Sequence, residues 1–335
     1  MKVLFIFTGG TIGSVANDGF IGVDGNRPRV LLAEYERVYG ASFAYDCVEP
    51  YTGLSENNTG DTLRALCACV AAHKDGGYNG IVVTHGTDTL QYTAAALSYA
   101  FADISIPLCL VSANYPVGDV RSNALANLRG ALRFITEVGR AGVWVPYQNA
   151  GEPTHIHRGT RLLESIAFTD RAESVFSTRY GTFLGNKPFL PSPDYRECAD
   201  ALPALGVPAF AEDVPQILRI QPYPGMVYPE IGKDVRYILH ASFHSGTVNT
   251  ASSEAKRFFA EAQARRIPVF LTGVTRGDAY ESTRAFAELG ITPLYHIAPV
   301  AAFVKLWMLS AHYATVTAEM LQSSLAGDII PSLDQ

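Results

Sequence analysis

Phe7-Thr8-Gly9-Gly10-Thr11-Ile12-Gly13 and Val83-Thr84-His85-Gly86-Thr87-Asp88-Thr89 decide the reading of this 335-residue chain. Each turn follows a short apolar run, Val3–Phe7 or Ile81–Thr84, that reads as a buried strand. Outward from them, strands and helical patterns alternate. Leu31–Tyr39 reads as a helix, Phe43–Val48 as a strand and Asp61–His73 as a helix. Thr89–Phe101 is a helix on the spacing of Leu90, Thr93, Ala94 and Leu97. Leu108–Val111 is a strand, Val120–Glu137 a helix and Val143–Val145 a strand. Strands alternating with helices of ten or more residues imply βαβ units, a mostly parallel sheet and helices on both faces.

Between Gly185 and Pro229 the texture changes, with nine prolines and little regular period. Alternation then resumes. The second half reads as strands Val235–Ala241, Val269–Thr272 and Pro293–His296. Its helices are Ser252–Ala264, Glu281–Leu289, Pro299–Ser310 and Ala314–Leu325. The expected fold is therefore α/β with two domains. Residues 1–185 form a larger N-terminal catalytic domain, 186–229 a Pro-rich linker, and 230–335 a smaller C-terminal α/β domain.

Composition narrows the function. Hydrophobic residues make up 48% and charged residues 17%, enough apolar material for a substantial core. Lys and Arg total 26 against 32 Asp and Glu, a net charge of −6 without a dense basic run. Nucleic-acid and anionic-membrane binding have no electrostatic support. No run of about 20 apolar residues suggests a membrane span. The apolar run at Met1–Phe7 is too short for a signal peptide, and the scattered Cys47, Cys67, Cys69, Cys109 and Cys198 fit reduced thiols. A cytoplasmic protein is expected.

In an open parallel sheet, ligands bind beyond the carboxyl ends of the strands, where both glycine turns should lie. Glycine lets backbone approach a ligand, and exposed N–H groups can hold a developing oxyanion. Gly9-Gly10-Thr11-Ile12-Gly13 has neither the spacing of a dinucleotide loop nor the Gly-Lys-Ser/Thr ending of a nucleotide P-loop. A purely structural tight turn is the rival account of the first turn. The second turn, with its carboxylate Asp88, favours a site. Threonine needs a base or a polarising network to act as a nucleophile. Thr11, Thr87 and Asp88 could supply nucleophile, relay hydroxyl and charge. Thr87 and Asp88 could equally cap the following helix. His85 could serve as a base. His155 and His157 share an extended segment, but no third ligand accompanies them, so neither a metal nor an organic cofactor is expected.

Thr-Gly-Gly-Thr-Ile-Gly at 8–13 and His-Gly-Thr-Asp-Thr at 85–89 resemble the two signatures of the bacterial-type L-asparaginase/glutaminase family. Ser112-Ala113-Asn114-Tyr115-Pro116 with Asp119–Asn123, Arg276–Ser282 and Pro293-Leu294-Tyr295 extend the resemblance over nearly the whole chain. The resemblance implies an amidohydrolase acting on a linear amide, assembled as a homodimer or homotetramer, with a mobile lid over the site. It makes Thr11 the nucleophile, and Thr87 and Asp88 its partners. Ser55 and Glu56 would hold the α-carboxylate and α-amine of an amino-acid amide. Gly10 and Gly86 would offer backbone, and Thr247 a neighbour-subunit contact.

Two departures stand out. Where the family carries Arg-Gly-x-Arg-x-x-Lys, this chain has Arg158-Gly159-Thr160-Arg161-Leu162-Leu163-Glu164, so Glu164 replaces the lysine of the Thr-Asp-Lys network. In the lid, Ser14–Asp24, Phe20 stands at the place of a tyrosine. Arg161 or Glu164 could substitute for the lysine. Hydrolysis of L-asparagine to L-aspartate and ammonia is the expected reaction. Another small amide, or amino-acid binding without catalysis, are the alternatives.

Overall fold

The computed structural model describes residues 1–9, 14–17, 20–23, 27–40, 43–208, 217–277 and 280–331. Its larger sheet has eight strands: β1 (Lys2–Phe7), β4 (Ala44–Val48), β5 (Gly80–Thr84), β6 (Pro107–Val111), β7 (Gly142–Gln148), β8 (Thr154–Arg158), β9 (Gly181–Phe183) and β10 (Leu190–Pro191). Their order is β10-β9-β8-β7-β6-β5-β1-β4. The pairs from β4 to β7 are parallel, and β8, β9 and β10 add antiparallel. A hairpin of β2 (Ser14–Asn17) and β3 (Phe20–Val23) follows the first glycine turn. The smaller sheet is parallel, β11 (Ile217–Ile220), β12 (Tyr237–Ala241), β13 (Val269–Val274) and β14 (Ile291–Tyr295), in that order. This is the mostly parallel α/β architecture with a smaller second α/β unit that the alternation implied.

Alternation within strands distributes the cores. Leu4 and Ile6 of β1 pack with helices α2 (Gly60–His73) and α3 (Leu90–Ala100). Val3, Phe5 and Phe7 point the other way, to α1 (Arg27–Tyr39) and α4 (Ala124–Arg133). A period of two in a strand buried on both faces requires this division. The smaller sheet is covered likewise. Ile238, Val269 and Leu271 meet Phe258 and Phe259 of α5 (Ser253–Ala264). Tyr237, Leu239 and Phe270 share a core with α6 (Pro299–His312). Helix α6 also packs on α3, so one continuous core joins the two sheets.

Several expectations shift. The segment 186–229, read as lacking regular period, contributes β10 to the first sheet and β11 to the second. The helix expected from Val120 begins at Ala124, because Asp119 turns the chain: its carboxylate accepts from the Arg121 N–H at 2.9 Å. That helix ends in a π-helical turn, Phe134–Val138, closed by Gly139 at φ +64°. Glu281–Ala285 is a 3₁₀ turn rather than the start of a full helix. Helix α7 spans only Ala318–Gln322, and the residues after it are drawn into contacts with α6. Strand β8 escaped the apolar pattern because its inward residues include His155, His157 and Arg158, all buried. Among the described residues no helix is long and apolar enough to cross a membrane.

Candidate active site

The strand order places the site. From β1 the chain crosses by α1 to β4 on one side, then by α2 to β5 on the other. The crevice beyond the carboxyl ends of β1 and β5 is thus the topological switch point of the sheet, where open α/β sheets bind ligands. Both glycine turns start there. Phe7 and Thr84 are register partners, and the Thr8 hydroxyl donates to the Thr84 carbonyl at 2.6 Å. Gly9, at φ +95°, bridges to Gly53, and the Gly53 N–H donates to the Thr8 carbonyl at 3.1 Å. A Cβ on Gly9 would lie 2.4 Å from the Gly53 oxygen, so only glycine permits this approach. The contact brings the 3₁₀ turn Ser55–Asn57 against both strand ends. Gly10 and Thr11 lie outside the described residues, as does Asp278 of the C-terminal motif.

Ser55 and Asp88 meet: the buried Ser55 hydroxyl donates to Asp88 Oδ2 at 3.3 Å. Glu56 sits next to Ser55 and is exposed. The Thr89 hydroxyl donates to the Ser55 carbonyl at 2.9 Å, and Asn58 Nδ2 donates to Thr89 Oγ1 at 3.3 Å. The turns 55–58 and 85–89 are therefore tied through side chains from both. The helix-cap account of Thr87 and Asp88 gives way, because Thr89 is the N-cap of α3. Thr59 caps α2, and the Thr62 hydroxyl accepts from its N–H at 2.8 Å.

Thr87 and Asp88 open onto a cleft of about 520 Å³. Its other walls include Gln91, Asn114, Tyr147 and the run Leu162–Ala172. Asn114 belongs to the Ser112–Pro116 motif. Tyr147, at the end of β7, had no sequence signal. Asp88, Glu164 and Asp170 face this cleft, with Arg171 as the basic residue among its lining. Arg171 is itself paired with Glu152 and Glu173.

Arg161 and Glu164 are each held by partners of their own. Arg161 is fully buried and donates to the carbonyls of Gly327 at 2.8 Å and Arg196 at 2.6 Å, with its guanidinium over Tyr195. Glu164 accepts from Tyr92 of α3 and, at 2.8 Å, from Arg219 of β11. Arg219 also donates to the Tyr92 hydroxyl at 2.6 Å. Burial raises the Glu164 carboxyl, but the hydrogen bonds from Tyr92 and Arg219 outweigh it and hold the group below its ordinary value. The Glu164 carboxylate thus joins the first domain to the second sheet. Glu164 and Arg219 also line a second cleft, of about 510 Å³, beyond this tie.

His85 is excluded as a cleft base. Its side chain is fully buried, and desolvation lowers its pKa to about 4. His155 and His157 lie on the same face of β8 with Thr182, Ser174 and Arg179 as partners. No group of His, Cys, Asp or Glu among the described residues is arranged to hold a metal ion. Thr247 lies outside the cleft, its hydroxyl 3.1 Å from that of Ser245.

Comparison with known proteins agrees with this arrangement. The family model "Asparaginase, N-terminal" matches residues 2–181. The chain is 26% identical to L-asparaginase of Thermococcus kodakarensis over 357 residues, covering 99% of this chain and all of that one. It is 34% identical to L-asparaginase 1 of Escherichia coli over 171 residues, about half of each chain. It is also 26% identical to a glutamyl-tRNA(Gln) amidotransferase subunit of Pyrobaculum aerophilum over 348 residues, 99% of this chain and 81% of that one. The solved thermostable L-asparaginase of T. kodakarensis shares the fold with a TM-score of 0.78 at 24% identity, covering 99% and 100% of the two chains. L-asparaginase I of Vibrio cholerae does so with a TM-score of 0.73 at 23% identity, covering 98% and 99%. With more than half its length under one family model, and with both signature turns beginning at one crevice, the chain belongs to the asparaginase family of amidohydrolases.

Proposed function

We propose that this protein hydrolyses the side-chain amide of L-asparagine to L-aspartate and ammonia through a threonine acyl-enzyme. The observation that carries this reading is the convergence of Ser55 and Asp88, 3.3 Å apart, at the crevice where both glycine turns begin. Thr11 supplies the nucleophile: its oxygen bonds to the amide carbon, the C–N bond breaks, and the nitrogen leaves as ammonia with a proton from the site. Water then cleaves the ester and restores the hydroxyl. Thr87 relays the proton, with Asp88 supporting the charge. Backbone N–H groups of the turns serve as donors to the oxyanion. Ser55 and Glu56 receive the substrate's α-carboxylate and α-ammonium. A neighbouring subunit bringing Thr247 to the site belongs to the same reading.

A second reading is favoured by Glu164: hydrolysis of a different small amide. Removing an ammonium and adding a carboxylate changes the field at the reacting end. Ammonia release from asparagine, glutamine and a panel of other small amides separates the two. Inert asparagine beside an active alternative overturns the first. Thr11→Ala is expected to abolish turnover and preserve aspartate binding; undiminished turnover would remove Thr11 as nucleophile.

A further inference from the structure

His85 stands in the signature turn, yet it is fully enclosed and cannot touch a ligand in the cleft. Its hydrogen bonds define what it can do. Nδ1 lies 2.8 Å from the Gly86 carbonyl oxygen. A carbonyl only accepts, so Nδ1 carries the proton. Burial keeps the ring neutral, so Nε2 is the acceptor. Two donors serve it: the Thr93 hydroxyl of α3 at 2.9 Å and Asn58 Nδ2 at 3.2 Å. The ring is thereby held from two sides, and its tautomer is determined by its partners.

The consequence falls on the next peptide. In a trans peptide the C=O and the following N–H point in opposite directions. The bond that draws the Gly86 carbonyl toward the buried ring turns the Thr87 N–H away from it, toward the cleft that Thr87 lines. Among the described residues no backbone carbonyl accepts from that N–H. Asn58 ties the same ring to the Ser55 turn through Thr89. The geometry points to His85 as a positioning residue that fixes the Gly86–Thr87 peptide so that the Thr87 N–H faces the oxyanion of the hydrolytic transition state. This role rests on the amidohydrolase reading. It assigns His85 no proton transfer.

Two substitutions separate positioning from packing. In His85→Asn, the side-chain Nδ2 occupies the place of Nδ1 and retains the donor to Gly86. In His85→Gln, the amide reaches the place of Nε2 and loses that donor. On the amide that the wild type hydrolyses, His85→Gln is expected to lower kcat about 10²-fold, the scale of one lost oxyanion donor. KM should stay within about threefold, and His85→Asn should recover at least about tenfold of the loss. Equal impairment of the two variants, or a His85→Gln kcat within about threefold of wild type, overturns the role. Long-range ¹H–¹⁵N spectra of wild-type histidines at pH 7 need neither variant folding nor turnover. They should report His85 protonated at Nδ1, and protonation at Nε2 overturns the role independently. A wild type inert on every amide would instead overturn the proposed function, while the spectra still decide the tautomer.

Discussion

Replacing Lys305 by Met removes the ammonium that neutralises Asp328 inside the molecule. Both side chains are fully buried, 2.7 Å apart. Lys305 comes from α6, and the Asp328 carboxylate also accepts from the Tyr99 hydroxyl of α3 at 3.0 Å. Met fills nearly the same volume, so the loss is electrostatic. Breaking a buried pair by removing one partner costs about 3–5 kcal/mol. Asp328 keeps Tyr99 and the Leu325 N–H, which accounts for the lower part of that range, about 3 kcal/mol. The carbonyls of Leu321 and Ser323 lose the same donor, which adds to the cost. The damage should reach the site. Ala326 and Gly327, just before Asp328, accept from Arg158, Thr160 and Arg161, the turn that leads into the cleft wall at Leu162. Urea unfolding at pH 7 is the assay. With an m-value of about 3 kcal/mol/M, the midpoint should fall by about 1 M. Lys305→Met with Asp328→Asn should recover much of this, because no buried charge is left alone. A single variant within about 1 kcal/mol of wild type, or a double variant no better than the single, would refute the reasoning.

Gly9→Ala should destabilise by more than about 2 kcal/mol, since it combines a strained φ with a Cβ against the Gly53 backbone; an unchanged Tm would contradict that close approach. Glu164→Lys removes a half-exposed ion pair and should cost less than about 1 kcal/mol in chemical unfolding. Repelled by Arg219, the new ammonium should turn to Asp88 and raise kcat on asparagine, and an unchanged kcat would show that position 164 does not command the reacting end. Acid should destabilise the fold through His85. Its folded pKa of about 4 lies below the ordinary 6.5, so the unfolded chain binds the proton first, and stability falls as pH drops from 6.5 toward 4. The loss approaches roughly 3 kcal/mol near pH 4, and His85→Asn should flatten that part of a pH–stability profile.

Strong local signals explain what was readable. Apolar strands before glycine turns located β1 and β5. Strand β8 was unreadable as a buried strand because partners of its histidines and Arg158 come from other segments of the chain, including Ala326 and Ser174. The 3₁₀ turn at Glu281 and the short α7 differ from their helical patterns because neighbouring contacts compete with helix continuation. His85 illustrates the same limit within the site: its position beside Gly86 suggested a base, and only Thr93 and Asn58 reveal an enclosed ring.

By itself the sequence determined the alternation of strands and helices, the two turns and their residue types, because periodicity and turn chemistry are local properties. Tertiary structure decided that the two turns start at one crevice, since that depends on α2 carrying the chain back across β1 to β5. It also decided the fate of Glu164. The partners that hold it, Tyr92 and Arg219, stand 72 and 55 residues distant and meet it only when the second sheet packs against the first domain.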